Sequence, residues 1–259
     1  MVSVRHLANC IGLSGDISIV KEFFGYRSSG HSDEISLLEQ SRLLRGLRID
    51  LNAILTGEEN FNDENKQEID AAVQQMRRIY AQAQIGIGLV GHYGIPEADA
   101  RESGVIGSML TDDDSKSITN DWSVDNDALD VFFILKWDLF QGGALGRSVI
   151  DGHCDKANSS LGFESTGSVI SIESKSPKVT GIVLAHEVGH YLGLDHIGDL
   201  DSDELDMDGD GETTDEDIAL LPASLTENLM FPRVSKEGTK LNSSQAEEMK
   251  EHCFIKPPC

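Results

Sequence analysis

Apolar and polar residues alternate from Gly46 to Leu55, with Leu47, Ile49, Leu51 and Ala53 separated by Arg48, Asp50 and Asn52. A period of two puts the apolar set on one face, which predicts a half-buried β-strand. The period then lengthens. From Glu64 to Gln84, behind Asn62 and Asp63, the residues Ile69, Val73, Met76, Ile79, Tyr80 and Ala83 recur every three or four positions, as in an amphipathic helix. Ile85 to Tyr93 is a second, glycine-rich strand candidate, and the unbroken apolar run from Ala128 to Trp137 suits a central strand buried on both faces. Gly142 to Ile150 and Gly167 to Glu173 predict two shorter strands, the first weakened by Gly142, Gly143 and Gly146. Pro96 to Asn126 shows no period and is expected to form a long Asp-rich loop at a rim.

After Pro177 the apolar residues come at helical spacing as far as Gly193, the proline suited to a helix start and the glycine to a helix stop. A short helical turn is expected at Ile218 to Leu221, and Ser243 to His252 predicts a last helix capped by Ser243 or Ser244. Residues 1–45 show no sustained period and read as an extension wrapped on the domain. Five strand candidates and two main helices predict an α+β fold with a mixed, twisted sheet.

The 259 residues suffice for one sizeable core. Twenty-one basic against 45 acidic side chains leave a net charge of -24, which disfavours nucleic acid and anionic membranes as partners and favours cations and basic peptides. No stretch approaches the roughly 20 apolar residues of a membrane span, and Arg5, His6 and Asn9 stand where a signal segment would be apolar. An exported form would have had its signal removed or would leave the cell by another route. The four cysteines, Cys10, Cys154, Cys253 and Cys259, contain no C-x-x-C pair, which argues against a zinc ribbon. In an exported protein they permit three disulfide pairings; in a cytosolic one they would be buried thiols.

The segment HEVGHYLGLDH carries the chemistry. Residues four apart share a helix face, so His186 and His190 can offer two imidazole nitrogens to one ion. Glu187 lies about 100° round the axis, beside that ion without binding it. Gly193 can take the left-handed conformation that ends the helix and returns the chain, bringing His196 in as a third ligand. Three protein ligands leave a position open, as in catalytic rather than structural zinc sites.

The spacing H-E-x-x-H-x-x-G-x-x-H resembles that of the metzincin zinc peptidases, over roughly Gly46 to Cys253. Those enzymes add a tight turn with a methionine below the metal, and ENLMFP puts Met230 in the matching place. Pro232 stands where astacins and serralysins have a tyrosine two residues past that methionine, so no tyrosine ligand is implied. The run VFFILKWDLFQGGALGRS is similar to the reprolysin- and pappalysin-like branches. The resemblance implies a zinc endopeptidase in two lobes, residues 46–196 as the larger N-terminal one and residues 197–259 as a smaller, irregular C-terminal one, with Glu187 as general base and acid, acting on a peptide or protein substrate in the cleft between them. Substrate would add as a strand along Gly142 to Ser148, against Gly143, Ala144 and Leu145, while Phe231, Pro232 and Arg233 line the pocket beyond the cut bond. As in reprolysin domains, Cys154 would pair with Cys253, leaving Cys10 to Cys259. The expected setting is a secreted monomer. Two other readings keep the same shell: a non-catalytic, metal-stabilised binding or adhesion module, and an injected toxin selective for one host protein.

Between the histidines and Met230 lies GDLDSDELDMDGDGETTDED, in a stretch from Ile197 to Pro232 without Lys or Arg. Such a run repels itself unless a cation neutralises it. Asp206, Asp208, Asp210 and Gly211 match the first half of a calcium loop, with Glu212 where a carbonyl usually serves and Asp217 at the twelfth position in place of glutamate. Calcium is therefore expected beside zinc, on a lone loop.

Overall fold

The computed structural model describes residue 43 and residues 46–102, 109–110, 112–137, 145–156, 166–197, 215–234 and 236–257. The long strand β1 (Leu47–Thr56) is followed by helix α1 (Asp63–Tyr80), which starts on a reciprocal capping box between Asn62 and Asn65. Strand β2 (Ile85–Ile95) comes next, then helix α2 (Glu97–Glu102), strand β3 (Met109–Leu110), helix α3 (Asp112–Asp121) and strand β4 (Leu129–Ile134). Short strands β5 (Lys136–Trp137) and β6 (Gly146–Arg147) precede β7 (Gly167–Ser171) and helix α4 (Pro177–Tyr191). Helices α5 (Asp215–Leu220), α6 (Ala223–Thr226) and α7 (Ser243–Glu251) complete the order.

The main sheet runs β2-β1-β4-β7-β6, with the first four strands parallel and β6 antiparallel to β7. This is the mixed α+β architecture expected. Parallel neighbours need crossovers, and these put helices on both faces. On one face Ile49, Leu51 and Ala53 of β1 join Val131 and Phe133 of β4 in a core with Ile69 and Met76 of α1 and Ile182 and Val188 of α4. On the other, Ile54, Phe132, Ile134 and Val169 pack against Ala100 of α2 and Ile118 of α3.

That second face corrects two expectations. The segment from Pro96 to Asn126 holds α2, α3 and β3 rather than a loop throughout. Each of those helices contributes a single residue to the second cluster, Ala100 and Ile118, so tertiary contact rather than periodicity decides them. Strand β1 is also not half-buried: Asp50 is 4% and Asn52 1% exposed. Their polarity is matched internally. Asp50 accepts from the Leu89 N–H and from Lys256, while Asn52 donates to Asp130, itself paired with the Lys156 ammonium at 2.9 Å.

Other boundaries shift. The run from Ala128 to Trp137 breaks at Leu135, and β5 pairs with β3 in a separate two-stranded sheet. The expected strand from Gly142 to Ile150 is reduced to β6 among the described residues. Helix α7 is capped by Asn242, whose side chain accepts from the Gln245 N–H while Gln245 answers in return, so neither Ser243 nor Ser244 caps it. Cys154 and Cys253 form a disulfide with Cα atoms 5.9 Å apart; Cys10 and Cys259 lie outside the described residues. No described helix is long and apolar enough to cross a membrane.

Candidate metal centre

Helix α4 starts with Pro177 in its first turn behind Ser176, and every residue from Thr180 to Tyr191 is buried. A helix apolar all round belongs inside a domain, so the polar groups it carries there need a reason. It ends on Gly193 at φ 101°, with the Leu194 N–H donating to the Gly189 carbonyl (3.0 Å) and the Gly193 N–H to that of His190 (2.9 Å). This double bond pattern is a Schellman stop, which turns the chain back over the last helical turn.

The turn brings His196 to His186 and His190. Their Nε2 atoms lie 3.1 Å (His186–His190), 3.2 Å (His190–His196) and 3.3 Å (His186–His196) apart. The Nδ1 of His186 faces the Leu229 carbonyl at 2.7 Å, and that of His190 faces the Leu194 carbonyl at 2.6 Å. A carbonyl can only accept, so both Nδ1 atoms carry the proton and both Nε2 atoms present lone pairs. Burial, the larger cause, and the neighbouring rings push His186 down to about 3; burial takes His190 to about 4 and lowers His196 as well. Two lone pairs thus point at one spot, and the Nε2 of His196 joins them there. Four ligands at 2.0–2.1 Å in a tetrahedron stand about 3.3 Å apart, so the spacing fits a zinc-sized cation. Among the described residues this is the one cluster of potential metal ligands.

Glu187 is 7% exposed, and burial raises its carboxyl to about 8, opposed by the charge of Arg147. Strand β6 lies flush on it: a Cβ on Gly146 would stand 2.5 Å from the Glu187 Cγ and 2.8 Å from its Oε1. Met230 is fully buried against α4, where a Cβ on Gly189 would come within 3.0 Å of its sulfur, and its carbonyl accepts from the Ile197 N–H. Phe231 is buried, Pro232 half-buried and Arg233 exposed. Leu145 accepts from the Ser171 N–H at 2.8 Å, whereas Gly143, Ala144, Asp206, Asp208, Asp210 and Glu212 lie outside the described residues and Asp217 falls within α5. His92 and His153 are exposed and stand apart from the histidine cluster.

Arg147 and the close fit at Gly146 escape a sequence reading; the glycines there register only as a weak strand. So does Asn228, which accepts from the Met230 N–H and pairs with Gln245.

A family model described as metallopeptidase family M12B, reprolysin-like, matches residues 63–244. The chain is similar to a solved structure of metalloproteinase-II from Bacteroides fragilis, at 13% identity and a TM-score of 0.46 over 80% of this chain and 53% of that one. It thus spans about half the length of that solved chain. No curated protein matches.

Proposed function

The chain belongs to the reprolysin-like metallopeptidases of family M12B, and from that premise we propose that it is a zinc endopeptidase whose ligands are His186, His190 and His196. The observation that carries this is the convergence of three Nε2 atoms within 3.3 Å of one another, those of His186 and His190 unprotonated because their Nδ1 atoms face carbonyls, next to a buried carboxyl in sequence. When bound, zinc supplies Lewis acidity that polarises a peptide carbonyl and lowers the pKa of water, and its charge favours the carboxylate form of Glu187. The Glu187 carboxylate takes the proton of the attacking water and delivers it to the departing amine nitrogen. No covalent bond to the protein forms. Met230 underlies the ligands, on the strength of its burial against Gly189.

Substrate enters the cleft between the lobes of residues 46–196 and 197–259, added as a strand to β6, which ends the sheet among the described residues. Gly143, Ala144 and Leu145 meet its backbone, and Phe231, Pro232 and Arg233 shape the pocket beyond the cut bond. The disulfide supports an extracellular setting. The acidic loop takes calcium through Asp206, Asp208, Asp210, Glu212 and Asp217, supported by its spacing and its lack of basic residues.

The test pairs two variants. Glu187→Gln should keep one zinc per chain while losing at least ~100-fold in cleavage of a diverse peptide library, and His190→Ala should lose the metal. Unchanged turnover in the first, or stoichiometric zinc in the second, removes the assignment; zinc without any turnover in the wild type makes the protein a binding module.

A further inference from the structure

We propose that Asn228 and Gln245 are positioning residues for His186: their side-chain amides form a reciprocal pair through which helix α7 fixes the orientation of a metal ligand. The proposal rests on the reading of His186 as a zinc ligand. Asn228 Nδ2 donates to Gln245 Oε1 at 3.0 Å, and Gln245 Nε2 donates to Asn228 Oδ1 at 3.0 Å. Both residues are 7% exposed. Two parallel bonds of this kind fix the amide planes against each other as well as their separation.

Each amide oxygen also accepts a second bond. Gln245 Oε1 takes the Asn242 N–H at 3.0 Å, within the capping box that starts α7. Asn228 Oδ1 takes the Met230 N–H at 2.9 Å. That N–H belongs to the same peptide unit as the Leu229 carbonyl, and the Leu229 carbonyl accepts from Nδ1 of His186 at 2.7 Å. A peptide unit is planar, so a grip on its N–H sets the direction of its C=O. Bonding at the N–H also polarises the C=O and strengthens what it accepts. The path from Gln245 to the imidazole therefore crosses one side-chain pair and one rigid plane.

The turn itself has further ties. The Leu229 N–H donates to the Lys240 carbonyl at 2.7 Å and the Ile197 N–H to that of Met230 at 2.9 Å. These hold the segment in place. Neither fixes the rotation of the 229–230 peptide, which the Asn228 bond does. Carbonyl partners of ligating imidazoles set ring orientation and basicity, and losing them costs 10–100-fold in metal affinity.

The experiment measures zinc affinity by chelator competition and Met230 amide exchange in the metal-free protein, for wild type, Asn228→Ala, Gln245→Ala and Met249→Ala. Met249 is buried one turn along the same helix, so its truncation leaves a cavity and lowers the melting temperature without touching the pair. Asn228→Ala and Gln245→Ala should raise the zinc Kd about 10–100-fold and speed Met230 exchange by about tenfold or more, as expected when a protecting bond is lost. Met249→Ala should leave both within about twofold. If the alanine variants do not fold, Gln245→Glu serves: it keeps the acceptor but sets a carboxylate oxygen against Asn228 Oδ1 where the donor stood, and the same two shifts are expected. Unmoved Met230 exchange, or Met249→Ala matching the pair variants, overturns the proposal by itself. A wild type that holds no zinc, or a His190→Ala variant that holds as much, defeats the ligand reading and takes the proposal with it.

Discussion

Replacing Gly146 by alanine tests how closely the edge strand sets the position of Glu187. The added Cβ would stand 2.5 Å from the Glu187 Cγ and 2.8 Å from Val183 Cγ1, against a comfortable carbon–carbon separation of about 3.5–4.0 Å. Something must yield by about 1 Å. The strand is held by the Ser171 N–H to Leu145 carbonyl bond and by its pairing with β7. Val183 is β-branched on a helix and keeps one preferred rotamer. The Glu187 side chain, unbranched and rotatable, is what moves. A 1 Å misplacement of a reacting group costs on the order of 100-fold in rate, or about 2.7 kcal/mol of barrier. Gly146→Ala should therefore cut kcat by about two orders of magnitude while zinc stoichiometry is unchanged, because the ligand rings are held by Leu229 and Leu194 on other segments. Steady-state cleavage of a fluorogenic peptide beside metal analysis reads both. Adding Val183→Ala relieves only the second contact and should leave turnover low. A kcat within about threefold of wild type, or its recovery in the double variant, refutes the reasoning.

The Cys154–Cys253 bridge closes a loop of 99 residues, for which chain entropy suggests roughly 4–5 kcal/mol of stabilisation. Cys154→Ser/Cys253→Ser should then melt about 10 °C lower by calorimetry, and an equal melting temperature would show that the bridge constrains little. Calcium at a hundredfold excess over its Kd should add about 2.7 kcal/mol to the zinc-loaded protein and raise its melting temperature by several degrees. Magnesium should do much less, and an equal shift in Asp208→Ala/Asp210→Ala would reduce the acidic loop to a solvated insertion.

The histidine cluster was legible because its geometry is local. Two histidines four positions apart on one helix face, then a glycine stop, suffice to predict that His186, His190 and His196 meet, and they do so within 3.3 Å. The long helices and strands were legible for the same reason. What failed was whatever a distant segment decides. Asp50 and Asn52 looked like the wet side of a strand, since nothing local announces that Lys256 and Asp130 come to satisfy them. Helices α2 and α3 each carry too little apolar surface to show a period. Asn228 and Gln245 are seventeen positions apart, and neither has a neighbour in sequence that predicts the other.

The Schellman stop has a companion that bears on where this protein can be cut or shortened. Beyond the turn, the His190 and Tyr191 carbonyls accept from the N–H groups of Asp151 and Gly152. The Gly152 carbonyl in turn lies 2.9 Å from His252 Nε2, and the same loop is bolted to Cys253. The end of the ligand helix therefore leans on residues made more than fifty positions after it. A fragment stopping just past His196 would hold every letter of the zinc signature, yet lack the Leu229 carbonyl, the amide pair and the bridge. Recognition by signature and possession of a working site part company there: the first needs eleven consecutive residues, the second needs the chain nearly to its last helix and beyond.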